Sequence, residues 1–232
     1  GKEWINTPGN HDFVNESYGS TEYMRREVIV PLNANTNVIY GSEAACYFHI
    51  DKYLGGTWVR VISFDEYQGN FIRYTAEQIM WFIRLLKSTP SHYYFCCLHH
   101  CPVAARRTSS GPIGDTAKFT SELAPSFYEY SPATNDDNNM PGHAYAYLIP
   151  KIVDAYTNKL GIQGKFYLGP SATDDYIDID EDFSESTPAK FIAHFGGHTH
   201  WDVCEFLPLY PKQLQILIDR DEGEYKYSDL TH

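Results

Sequence analysis

The chain reads as an α/β protein, and three stretches carry that reading. A capped amphipathic helix opens at Thr75 and is stopped by Pro90. A continuous apolar run, Tyr93 to Leu98, follows it and hands His99-His100-Cys101-Pro102 to its carboxyl end. A second apolar run, Lys190 to Phe195, ends in Gly196-Gly197-His198-Thr199-His200. Helix, buried strand, then polar residues at the strand's carboxyl end is the order in which open α/β sheets place their ligands. With 232 residues, 43% of them hydrophobic and 16% aromatic, the chain is expected to form one domain, 1–232, with a substantial core.

Taken in order, Trp4 to Thr7 reads as the end of a strand that runs into the turn Pro8-Gly9-Asn10-His11-Asp12. Val28-Ile29-Val30 reads as a short strand ended by Pro31. Ala45 to Ile50 and Trp58 to Phe64 are rich in β-branched and aromatic residues and bracket Gly55-Gly56, the pattern of an antiparallel hairpin. Thr75-Ala76-Glu77-Gln78 is a capping box. Ile79, Phe82, Ile83 and Leu86 then recur at helical spacing on one face. Tyr93 to Leu98 is apolar throughout, as a strand buried on both faces would be. Pro150 to Leu160 reads as a helix, with proline in its first turn, Ile152, Val153 and Tyr156 on one face, and Gly161 just past its end.

Residues 103 to 142 hold no convincing core element, and about 103–188 is expected to be a long insertion. Asp174 to Glu185 carries seven acidic side chains and no basic one; it lacks calcium-loop spacing and reads as a solvated loop. Leu214 to Ile218 reads as the final strand.

A net charge of −12 argues against a nucleic-acid-coating protein or one that binds an anionic membrane. It also opposes phosphate binding, unless divalent cations reverse the field locally. The five cysteines include no C-x-x-C pair, so buried free thiols in a reducing, cytoplasmic setting are expected.

Three predicted strand ends present nitrogen or oxygen donors: Asn10-His11-Asp12, His99-His100, and His198 with His200. Two histidines at i and i+2 in extended chain point to one side, which suits metal ligation. Any one of these stretches alone is an ordinary polar turn. His49, His92, His143 and His194 have no motif around them and read as structural; Arg106 and Arg107 read as solvated loop residues.

Gly9-Asn10-His11-Asp12, His100-Cys101-Pro102 and Gly197-His198-Thr199-His200 closely resemble the last three of five motifs of the calcineurin-like metallophosphoesterases. The hairpin ending in Ile62-Ser63-Phe64-Asp65 and the helix stretch Gln78 to Trp81 also resemble that family. The resemblance implies a four-layer α/β/β/α sandwich of two mixed sheets, here without its first β-α-β portion, because D-x-H and G-D-x-x-D do not occur before Asn10. It implies metal ligation by Asn10, His100, His198 and His200, with His11 hydrogen-bonding the phosphoryl group and Asp12 orienting that imidazole. His99 would lie behind His100, which alone has proline two residues on.

The implied activity is hydrolysis of phosphate esters, as a phosphatase or phosphodiesterase, at a dinuclear centre that activates water and clamps the attacking and leaving oxygens. Manganese, iron or zinc would serve. The chain reads as N-terminally truncated, with at most one of the two metal ions and impaired turnover, and with a small phosphorylated substrate. A non-catalytic interaction module on the same fold is the alternative. A nuclease fits the charge poorly. Neither nucleic acid nor membrane is an expected partner, whereas self-association through an exposed sheet edge is compatible with a missing sheet portion.

Overall fold

The computed structural model describes residues 5, 7, 24–34, 36–65, 67–68, 71–72, 74–88, 92–97, 107–108, 111–112, 148–168, 176–196, 203–207 and 210–217. Its strands are β1 (Ile39–Tyr40), β2 (Phe48–Leu54), β3 (Thr57–Ser63), β4 (Tyr67–Gln68), β5 (Phe71–Ile72), β6 (Tyr93–Cys97), β7 (Arg107–Thr108), β8 (Gly111–Pro112), β9 (Gly161–Tyr167), β10 (Tyr176–Asp182), β11 (Lys190–Gly196), β12 (Val203–Phe206) and β13 (Leu214–Leu217). The two long helices are α1 (Ala76–Lys87) and α2 (Leu148–Thr157).

The fold is mixed α/β. One sheet has the order β1-β2-β3-β6-β11-β13-β12, six of its strands being four residues or longer and β1 only two. Its centre is parallel: β3, β6, β11 and β13 run the same way. Antiparallel neighbours flank it, with β2 on β3 at one side and β12 on β13 at the other. Hairpins β4–β5, β7–β8 and β9–β10 stand apart from this sheet. A second mixed sheet, as in a four-layer sandwich, is not among the described residues.

The β2–β3 hairpin forms where the sequence places it. Gly55 and Gly56 have φ of +57° and +86°, a pair of positive values that a two-residue turn matched to the strand twist requires. Thr75 caps α1, its side-chain oxygen accepting from the Gln78 N–H at 3.1 Å. The other half of the capping box is absent, because the Gln78 carboxamide is directed elsewhere. At the far end, the Ser88 hydroxyl donates to the Leu85 carbonyl at 3.0 Å.

Helix α1 lays Ile79, Phe82, Ile83 and Leu86 into the main core, where they meet Ile62, Phe64, Tyr94 and Cys96. Helix α2 adds Ile149, Ile152, Val153 and Tyr156 to the same cluster. Residues within 148–168 and 176–183 therefore share this core, although they fall within the stretch expected as an insertion. On β2 the faces separate: Tyr47 and His49 turn to the Trp81 ring, while Phe48 and Ile50 pack with Ile29 and Cys46. Cys46, Cys96 and Cys204 are free thiols, the first two buried.

Four expectations differ from the structure. Val28 to Val30 is not a strand: Met24–Ile29 is π-helical and runs into the helical turn Val30–Leu32. Pro31 is tolerated there because the first turn of a helix has no use for its missing N–H. The acidic stretch is not a loop over 176–182 but strand β10, in which Ile177 and Ile179 are buried and Tyr176, Asp178 and Asp180 face outward. Carboxylates on the solvent side of a period-two strand are compatible with pairing. Strand β10 pairs with all of β9, a strand that no local signal announced. Helix α2 ends with Lys159 at φ +57°, and Gly161 already belongs to β9. Ile5 and Thr7 are not in a strand, and the rest of 4–7 lies outside the described residues.

The turn at Gly55-Gly56 makes a quantitative prediction. A Cβ at Gly56 meets nothing within 4 Å, so the cost of Gly56→Ala is backbone strain alone. Urea unfolding should show a loss of about 1–2 kcal/mol; an unchanged midpoint would contradict the turn geometry.

Candidate metal centre

Parallel pairing brings the carboxyl ends of the central strands to one edge of the sheet. Ser63 of β3 is in register with Cys97 of β6, and Cys97 with Phe195 of β11. These three residues form one row across adjacent strands, which are spaced ~4.8 Å apart. His100 is three residues beyond Cys97, and His198 three beyond Phe195.

Asn10, His11, Asp12, His99, His100, His198 and His200 themselves lie outside the described residues, as do Arg106 and His143. Among the described residues, no group of three or more His, Cys, Asp or Glu side chains is arranged to hold a metal ion.

Two side-chain contacts organise the β3 end. Thr7 Oγ1 and Ser63 Oγ share a hydrogen bond of 2.9 Å across 56 residues of chain. Thr7 precedes Asn10 by three residues. Just beyond, the Gln78 carboxamide engages the main chain of Asp65 twice. Its Oε1 accepts from the Asp65 N–H at 2.9 Å and its Nε2 donates to the Asp65 carbonyl at 2.6 Å. Gln78, Ser63 and Asp65 are all completely buried. The carboxamide thus supplies the donor and acceptor that a neighbouring strand would offer. The sequence signal for it is a glutamine at the third position of an amphipathic helix, where a capping-box reading hides it.

Strand β11 is anchored to α2. His194 is buried, and its Nε2 lies 2.8 Å from Gln213 Oε1. Gln213 Nε2 in turn donates to the Pro150 carbonyl at 2.8 Å, so α2 is tied to the sheet through this imidazole. Because Gln213 Oε1 can only accept, the proton sits on Nε2. Nδ1 is then a buried lone pair with no partner among the described residues. Burial pushes the His194 pKa down to about 4, with the Gln213 hydrogen bond opposing the shift.

The remaining described histidines make contacts within the sheet and its neighbours. Burial lowers the His49 pKa, helped by the Arg60 charge. His92 Nδ1 accepts from the Trp58 N–H at 3.2 Å. Arg60 crosses to Asp51 in two hydrogen bonds of 2.7 Å. Burial disfavours the Asp51 charge, but the Arg60 hydrogen bonds and charge outweigh that and hold its pKa below the ordinary range.

Comparison of the chain with protein-family models, with curated proteins and with solved structures finds no match.

The state of His194 makes stability pH-dependent. Its folded pKa is below its ordinary value, so the unfolded chain binds the proton more readily. The stabilisation is complete above about pH 6.5 and is lost as pH falls towards 4, by up to about 3 kcal/mol. Urea unfolding at pH 7.5 and 4.5 should show a pH-dependent loss that is smaller in His194→Gln by that order. Equal losses in both proteins would contradict the neutral, buried imidazole.

Proposed function

We propose that this chain carries the histidine-rich part of a metallophosphoesterase centre and serves metal-dependent hydrolysis of phosphate esters. The single observation that supports this most is the row Ser63–Cys97–Phe195. It gives His100 and His198 the same offset from registered residues on adjacent parallel strands. Three peptide steps span at most ~11 Å, so each donor stays close to the shared edge. Thr7 tethers the approach to Asn10 at that same edge through Ser63.

An amide oxygen and three imidazoles form a donor set suited to manganese, iron or zinc. Asn10, His100 and His198 would hold one cation and His200 would face the position of a second. The D-x-H and G-D-x-x-D sequences are absent from these 232 residues, so one ion at most is expected here, with slow turnover. A bound divalent cation supplies Lewis acidity and offsets phosphate charge in a protein of net charge −12. His11 would donate to a phosphoryl or leaving oxygen, with Asp12 fixing its ring. The architecture that accommodates this is the four-layer α/β/β/α sandwich. Half-buried Val59 and Val61, on the face of β3 opposite Ile62, mark the side a second sheet would cover.

The alternative, a non-catalytic interaction module, has one observation in its favour. Tyr53, Leu54 and Trp58 stand exposed at the tip of the β2–β3 hairpin, with the Tyr53 and Trp58 rings in contact. Strand direction puts this tip at the opposite end of the sheet from Ser63. Among the described residues, no helix is long and apolar enough to cross a membrane.

Titration of the metal-free chain with Zn²⁺ or Mn²⁺, followed by assay on nitrophenyl phosphate mono- and diesters, tests the proposal. One ion should bind, and His100→Ala or His198→Ala should weaken binding by about tenfold or more. His11→Ala should leave metal uptake intact and lower any turnover by about 10²–10⁴-fold. Uptake of no cation, or affinity indifferent to both ligand substitutions, would remove the enzyme reading and leave the interaction module.

A further inference from the structure

Arg60 of β3 and Tyr94 of β6 are in register on parallel neighbours, so their side chains leave the same face of the sheet. Helix α1 reaches that face through the Leu85 carbonyl, which accepts from Arg60 Nη1 at 3.1 Å. Helix α2 reaches it through Tyr156, whose ring meets the Tyr94 ring edge-on with centroids 6.1 Å apart. Where these elements meet lies a cavity of about 10 Å³, bordered by Arg60, Leu85, Tyr94, Tyr156 and Ala189. That is room for one water molecule. We propose that this junction is a binding site for a single ordered water, held by Tyr94, Tyr156 and Arg60.

The polar groups around the cavity match a water's needs. Tyr94 is 1% exposed, and its Oη has no hydrogen-bond partner among the described residues. Thr157 is close enough to bear on that hydroxyl but completes no hydrogen bond with it. A buried hydroxyl is costly unless it is paired. Tyr156 Oη accepts from the Ala189 N–H at 2.9 Å and donates to the Thr187 carbonyl at 3.3 Å, which leaves it one lone pair. Arg60 commits three of its five N–H groups, two to Asp51 and one to Leu85, and two remain. A water here accepts from Arg60, donates to Tyr156 Oη and shares a bond with Tyr94 Oη. Three bonds are what a buried water ordinarily makes. An ion is a poorer fit, because Asp51 already offsets the Arg60 charge and that charge repels a cation.

The test combines a high-resolution crystal structure of the full chain with urea unfolding of two variants. Density for one water within hydrogen-bond distance of Tyr94 Oη, Tyr156 Oη and Arg60 is expected. Tyr94→Phe keeps the ring and removes the hydroxyl, so it should raise the unfolding constant by about tenfold. Thr157→Val, which removes the other hydroxyl near Tyr94, should leave the unfolding constant unchanged.

A dry cavity would overturn the proposal. So would a Tyr94→Phe chain as stable as the native one or more so, since that is how an unpaired hydroxyl behaves. An equal loss in Thr157→Val would overturn it as well, by showing that Thr157 is the partner of Tyr94.

Discussion

Parallel pairing of β3, β6 and β11 is the constraint from which the rest follows. Parallel neighbours end at the same edge, so residues that leave these strands at their carboxyl ends leave together. Ser63, Cys97 and Phe195 are the last registered row before the histidine-bearing stretches begin. A one-residue slip of β11 against β6 would reverse the faces of its side chains. It would also separate the offsets of His100 and His198. On the other side of β6, Arg60 fixes β3, bridging it to β2 through Asp51 and to α1 through the Leu85 carbonyl at 3.1 Å.

The sheet is braced by buried polar groups as well as by apolar packing. Gln78 secures the end of β3, and the His194–Gln213–Pro150 chain secures β11 against α2. Buried carboxamides and imidazoles are expensive unless paired, but paired they fix direction in a way that leucine does not. Among the described residues, His194 Nδ1 and both polar atoms of the buried Gln215 side chain have no hydrogen-bond partner. His194 and Gln215 are in register on the neighbouring strands β11 and β13.

Much of the fold was legible because its signals are local. Gly55-Gly56 between two aromatic, β-branched runs can only be a tight turn, and Thr75 before an i, i+3, i+4 pattern can only open a helix. Strands β6 and β11 announce themselves as unbroken apolar runs. Strand β10 was hidden because the seven carboxylates of 174–185 outweigh two isoleucines at alternate positions. Helical Met24–Leu32 was hidden by Val28-Ile29-Val30, whose β-branched run reads as extended. The donor residues proposed for the site lie outside the described residues. The shared edge of β6 and β11 could not be read from the sequence, because the two strands are adjacent in the sheet yet separated by the whole middle of the chain. Gln78 was misassigned for the same reason: its partner Asp65 is thirteen residues away, in another element.

The central claim is that imidazoles delivered by β6 and β11 share one cation. X-ray absorption at the zinc edge of the Zn²⁺-loaded chain tests it most directly. The account predicts a first shell of nitrogen and oxygen only, at ~2.0–2.1 Å, with the multiple-scattering signature of at least two histidines. A sulfur shell at ~2.3 Å, as the cysteines near the β6 end would give, or a single-histidine shell would contradict it.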